Sequence, residues 1–312
     1  MIKSFIYLDV HKMYSLSSQI FEGITEYVLN ESSTDNKETE SQKGPVGSGK
    51  ILADVIKNSS KSTEKKFLND YSFTVFEDYL SKEGKILDLS GPSFDIEEVK
   101  ESIKDFSFVK VKSRAIFNDV DKITELFTEF NTIGEALAHM GAYEEIRSLK
   151  AQIEELKSHT NNRNEKSRLE TEYKRLTNIS KLAKDRGLYQ DPKFMSDLAL
   201  LTKYGFSDQF EIQQAGGDMV FTSCLKREFL REKEDLLVKK YSRKTEKEVV
   251  VFGVISQAFS AFEPNIDKKP DYRNMKTGLM SIVEHLTNIE NSISGKQENE
   301  IVIDPIAAYF EV

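Results

Sequence analysis

The feature that most constrains this chain is a heptad-like repeat of apolar residues near its centre. Ile146, Leu149, Ile153 and Leu156 are spaced three, four and three residues apart. After the polar stretch SHTNNRN the pattern resumes with Leu169, Tyr173 and Leu176 among mixed charges. Apolar residues at such spacings fall on one side of a helix and need a second helix to cover them. Two readings of 142–186 follow. One is an antiparallel hairpin broken at 157–168, with arms on the order of 20–25 Å at ~1.5 Å per residue. The other is a single unbroken helix. The Ser, Asn and His of the break are loop-forming residues and favour the hairpin. The seven residues form the candidate partner-binding set, because a seam that does not face its own return arm must take a helix from another chain.

The flanks change period. KSFIYLD (3–9) reads as a buried strand, and Asp9 stands where a helix N-cap belongs, ahead of Met13, Leu16, Ile20 and Phe21 at helical spacing. ITEYVL (24–29) alternates as a strand does, and 30–49 loses all periodicity and reads as a mobile polar loop. ILADVIK restores order, and Phe73, Phe76, Tyr79 and Leu80 mark an amphipathic helix. FSFVKVKSRAIF (106–117) alternates apolar and basic residues, the pattern of a strand with one wet face. An apolar helix over Val120–Met140 follows.

Beyond Pro192, FEIQQAGGDMVFTSCL reads as two strands joined at Ala215-Gly216-Gly217-Asp218. EVVVFGVISQAF (248–259) is a buried strand, and EIVIDPIAAYFEV is strand-like on both sides of Pro305. KREFLREKEDLLVKKYSRKTEK is balanced between helix and exposed strand, with helix favoured by its Glu, Lys and Leu content. Met275, Leu279, Ile282, Val283, Leu286, Ile289 and Ile293 define the best amphipathic helix. The expected fold class is α+β, two β-containing regions flanking a central antiparallel helical hairpin. The expected domains are 1–141, 142–186 and 187–312.

Composition sets the classes that remain. The chain has 312 residues, 44 Lys and Arg against 52 Asp and Glu, and a net charge of −8. That balance opposes non-specific attraction to nucleic acid or anionic lipid. One cysteine, Cys224, cannot form an intrachain disulfide and favours a reducing, cytoplasmic setting. No apolar run approaches the ~20 residues that a membrane helix needs.

No motif completes a catalytic, metal or cofactor site, so no catalytic residue, metal ligand or cofactor is assigned. Gly44-Pro45-Val46-Gly47-Ser48-Gly49-Lys50 fits the first part of a phosphate-binding loop. The Ser or Thr that ligates magnesium is replaced by Ile51, and the segment before it, KETESQK, is no buried strand. A Gly-rich hinge is the better reading. Asp9 is an N-cap before it is a catalytic acid. The four histidines show no paired ligand spacing, and Cys224 reads as a buried, inert thiol. Residues 226–247 hold nine Lys and Arg against five Asp and Glu, with Phe229 and Tyr241 interleaved. Lys110, Lys112 and Arg114 add to that basic character. Interspersed acids make a solvated charged surface the better reading than a nucleic-acid face.

Three stretches, FIYLDVHKMYSLSSQIFEG, VVVFGVISQ and IDPIAAYFE, resemble the signatures of an uncharacterised family of bacterial proteins of about this length. Its pattern opens on a strand ending YLD with a Ser-Leu-x-Ser-Gln helix and closes on a Pro-Ile-Ala-x-Tyr strand. The resemblance implies a bacterial cytosolic protein from genomic regions that carry phage-defence genes, and brings no active-site residue with it. The expected function is a non-enzymatic interaction or oligomerisation protein, in a defence or stress system, whose partner is another protein or a second copy. The alternative is an enzyme acting on nucleotides or nucleic acid through the 44–50 loop or the basic 226–247 face. A membrane-directed effector using the helix at 274–294 comes last, because its polar face is not Lys-rich.

Overall fold

The computed structural model describes residues 2–20, 62–91, 95–159, 163–258 and 275–312. The expected strand at 24–29, the 30–49 loop, the 44–50 motif and ILADVIK lie outside them. The strands are β1 (Lys3–Leu8), β2 (Ile86–Leu89), β3 (Phe108–Asp119), β4 (Phe210–Gly216), β5 (Met219–Leu225), β6 (Lys244–Gln257) and β7 (Glu300–Glu311). The helices are α1 (Val10–Ile20), α2 (Ser62–Lys82), α3 (Ile96–Ser102), α4 (Val120–His159), α5 (Arg163–Thr177), α6 (Ile179–Asp185), α7 (Pro192–Phe206), α8 (Glu234–Tyr241) and α9 (Met275–Ser294). The fold is mixed α and β, but the strands do not form two regions. β3 pairs with β4, β4 with β5, β5 with β7, β7 with β6, and β6 with β3, which closes a five-stranded barrel. β5 and β7 run parallel and the other four ring pairs antiparallel. β1 extends the sheet from β7, and β2 from β3.

Closure explains why VVVFGV carries no polar alternation. Val249 and Val251 line the barrel interior with Phe117, Phe210, Ile212, Phe221, Ile301 and Ile303. Val250 and Phe252, pointing the other way, lie under α1 and α2 with Met13, Phe73, Phe76, Leu80 and Tyr309. Phe252 meets Phe73 edge-to-face at 5.5 Å and stacks on Phe108 at 5.9 Å. Burying each such side chain stabilises by roughly 1.5–3 kcal/mol, so a strand apolar on both faces is worth its lost alternation. The β4–β5 hairpin turns on Gly217 and Asp218, and Gly217 takes a φ of 62° that a side chain would resist. β7 runs through Pro305, which sits opposite Gly253 where the β6–β7 register shifts, a place where a missing N–H costs no regular ladder bond.

One polar network lies outside the barrel wall. The Tyr309 hydroxyl donates to Glu77 at 2.6 Å, Lys110 stands 3.3 Å from the same oxygen, and Lys3 bonds the other. Glu77 is buried, and these partners compensate its charge. Next to it Lys112 donates to Glu311 at 2.6 Å. Burial alone would raise the Glu311 carboxyl, but the Lys112 hydrogen bond and the Lys110 and Lys112 charges outweigh it and hold it below the ordinary range. Its contribution is therefore present above the usual glutamate pKa and lost as pH falls through the lowered one. The Lys112→Met protein is expected to lose about 0.5 kcal/mol at pH 7, with the gap to wild type closing below about pH 4 in urea titrations.

The chain divides into two compact units, Met1–Asp119 with Gln209–Asn288 and Gly295–Val312, and Val120–Asp208 with Ile289–Ser294. In the second unit α4 is one continuous helix of 40 residues, and the expected boundary at 141 falls inside it. α5, α6 and α7 all pack against it. Asn131 ties α4 to the turn before α7 through both its side-chain amide and its carbonyl, at 3.0 and 2.8 Å from Gln190 main-chain atoms. The closest approach is at Gly134, where an added Cβ would stand 1.7 Å from the Leu188 carbonyl oxygen. Gly134→Ala is expected to destabilise this unit by about 3 kcal/mol through overpacking against rigid backbone. Hydrogen exchange should show faster amides in 120–208 with the barrel strands unchanged.

Candidate interaction surfaces

Asp9 caps α1. Its Oδ1 accepts from the Lys12 amide at 2.9 Å, and its Oδ2 lies 3.1 Å from Lys226 Nζ. Fully buried, the carboxylate is flanked by Lys12 and Lys226, and Lys12 also bonds Asp304. Among the described residues no group of three or more His, Cys, Asp or Glu could hold a metal ion. Part of the charge of the basic stretch 226–247 is matched within the chain. Arg227 bonds Asp119 at 3.1 Å and Glu234 at 2.7 Å, Arg231 bonds Asp70, Lys240 bonds Glu232 at 2.5 Å, and Arg243 donates to the Phe117 carbonyl at 3.0 Å. In secondary structure it divides into a 3-10 turn at Arg227–Phe229, α8, and the start of β6. Lys110 and Lys112 are likewise paired, with Glu77 and Glu311.

Of the seven seam residues, Leu176 lies in a buried cluster against which Ile146 and Leu149 pack. Ile153 and Leu176 are buried, and Ile146, Leu149, Leu156, Leu169 and Tyr173 are half-buried. Ala138 and Ala142 continue the same seam along α4 and contact Leu176, Leu182 and Ala183, so small residues let the return helices approach closely. The apolar residues left outside are different ones. On α4, Leu126, Ile133, Leu137 and Met140 are exposed, and half-buried Phe130 completes a spacing of four, three, four and three. On α7, Phe194, Leu200, Leu201 and Tyr204 are exposed. On α9 the exposed set is Met275, Leu279, Ile282, Val283, Leu286 and Ile289. Scattered exposed apolar residues are ordinary, but stripes at helical spacing mark association surfaces.

The chain matches the family model described as Domain of unknown function (DUF6414) over residues 2–309. It belongs to that family. No curated protein and no solved structure matches it. The three signature stretches therefore identify a relative and bring no activity with them, as the sequence resemblance implied. Their physical content is nonetheless clear: YLD supplies Tyr7 to the core and Asp9 to the α1 cap, and PIAAY supplies Ile306, Ala307, Ala308 and Tyr309 to a doubly buried strand.

Among the described residues no helix is long and apolar enough to cross a membrane. The heptad spacing at 126–140 was open to view in the sequence, where it reads simply as an apolar helix. Orientation is what the sequence hides: 275–294 reads as an amphipathic helix, and its apolar stripe stands exposed. Cys224 also departs from expectation. It lies on the outer side of β5, exposed as a residue, with its sulfur 3.7 Å from Glu211 Oε1. Desolvation and the nearby Glu211 charge push its thiol up to about 12, which leaves little thiolate near neutral pH. Iodoacetamide at pH 8 is expected to label it about a thousandfold more slowly than free cysteine, and Glu211→Gln should recover about tenfold of that.

Proposed function

We propose that this protein is a non-enzymatic interaction or oligomerisation protein that works by helix pairing. The observation that carries this is the set of exposed apolar stripes on α4, α7 and α9, beside a seam of which Ile146, Leu149 and Leu176 pack inside the chain. The 142–186 segment serves as an antiparallel hairpin that stiffens α4, so that the 126–140 stripe is presented on a rigid helix. Its own seam is the support and the exposed stripe is the contact. The setting in a bacterial defence or stress system rests on the sequence resemblance alone.

Light scattering of the full chain between about 1 and 100 µM tests this reading. The expected result is a mass above 35.7 kDa that rises with concentration and falls when exposed stripe residues become acidic, as in Leu137→Asp with Met140→Asp. Leu149→Asp or Leu176→Asp is the wrong test, because those side chains support the hairpin and their loss would damage the fold. A strict monomer at 100 µM, indifferent to the stripe variants, overturns the proposal.

The ring order favours a second reading. Taken in chain order, the ring strands neighbour one another as first, second, third, fifth, fourth and first again, with third and fifth parallel. This is the connectivity of the five-stranded Greek-key barrel that binds oligonucleotides and oligosaccharides across its second and third strands. Here that outer face carries Glu211, Gln213, Thr222 and Cys224, with burial and Glu300 raising the Glu211 carboxyl. It offers neither the aromatic platforms nor the cations that single strands need. Fold likeness alone does not assign a ligand, and this reading ranks second. Salt-dependent binding of a short DNA or RNA strand by the full chain would reverse that order.

A further inference from the structure

Helix α9 carries its apolar stripe on an exposed side. Met275, Leu279, Ile282, Leu286 and Ile289 repeat at spacings of four, three, four and three, and are 44% to 81% exposed. Away from the stripe Glu284, Thr287 and Asn288 are half-buried, and His285, Asn291 and Ser292 are exposed. A helix whose task is to cover its own domain lies the other way round. The near-3.5 repeat keeps the stripe straight against another helix with the same repeat. A lipid surface calls for a polar face rich in Lys and Arg, and α9 has Lys276 alone of these.

The stripe also identifies its partner. In heptad terms Leu279 and Leu286 occupy a, and Ile282 and Ile289 occupy d. Leu at a with Ile at d works against a parallel pair of helices, whereas an antiparallel pair sets each Leu against an Ile. Lys276 and Glu290 both occupy e, seven residues to either side of Val283. Within one helix they are about 21 Å apart at 1.5 Å per residue and cannot meet. A two-fold axis beside Val283 brings Lys276 of each helix to Glu290 of the other and Val283 onto its own copy, the self-complementarity of an isologous contact.

We infer that α9 pairs antiparallel with the α9 of a second copy of this chain. Leu279 packs on Ile289 of the second copy and Ile282 on its Leu286, which gives four layers by symmetry. Two Lys276–Glu290 pairs flank them. Ile293 lies outside the seam because it is engaged within its own chain, its Cγ2 standing 2.8 Å from the place of a Cβ on Gly205. The inference rests on the interaction reading above and names its surface, partner and direction.

Sedimentation equilibrium of the full chain tests it. Wild type should form a dimer of twice 35.7 kDa. Lys276→Glu alone and Glu290→Lys alone should each raise the dimer Kd about tenfold, and the two together should restore it. Leu286→Asp should abolish the dimer while leaving the circular dichroism of the monomer unchanged. Charge changes whose effects add rather than cancel would overturn the antiparallel pairing. A dimer insensitive to Leu286→Asp but lost with Leu137→Asp would overturn the α9 inference and leave the interaction reading standing. A monomer throughout overturns both. Monomers that bind phosphatidylcholine vesicles, and cease to do so with Leu286→Asp, would give the stripe to lipid instead.

Discussion

The pairing of β6 with both β3 and β7 is the constraint on which the rest of the first unit depends. Without it the sheet would be an open strip with exposed edges at β3 and β7; with it the backbone groups of five strands are satisfied in a ring and no ring strand presents an edge. The same strand must then be apolar on both sides, because one side fills the barrel and the other carries α1 and α2. Its length of 14 residues, bulged near Gly253, lets it reach two partners along its course. The Phe73, Phe108 and Phe252 cluster outside the wall and the Phe117, Phe210 and Phe221 layer inside are the consequence.

Closure also decides where the helices go. Asp119 and Phe210 are register partners on adjacent ring strands, so the 120–208 excursion leaves and returns at neighbouring points. An insertion at such a place closes a loop whose ends are already held together, and loop entropy then grows only slowly with length. The charges at that junction are matched locally, Arg227 joining Asp119 at the end of β3 to Glu234 at the start of α8. The basic stretch thus forms ion pairs with distant acids of the barrel unit through Lys226, Arg227 and Arg231. Its composition resembles a nucleic-acid surface far more than its geometry does.

Much of the local structure was legible. The Asp9 cap, the alternation of 106–117, the Gly217 turn and the helix of 275–294 all follow from short-range rules of spacing and capping, and they stand close to where those rules put them. What escaped was every question of partner. The 120–140 helix and the 146–156 seam read as separate elements because their apolar stripes face different ways, yet they are one α4. The strands of 1–141 and 187–312 read as two regions because a sequence shows which strands are buried and not which strands pair.

By itself, then, the sequence determined the local elements, the caps and the family. These depend on contacts within a few residues or on the bare presence of chemical groups. Tertiary structure decided that the strands close into one barrel, that Ile146, Leu149 and Leu176 of the central seam pack within their own chain, that Lys226, Arg227 and Arg231 form ion pairs, and that the α9 stripe is exposed. Each of these depends on residues dozens to hundreds of positions apart. Hydrophobic periodicity specifies that a face must be covered, but the covering element is chosen only by the long-range packing that leaves the fewest faces bare.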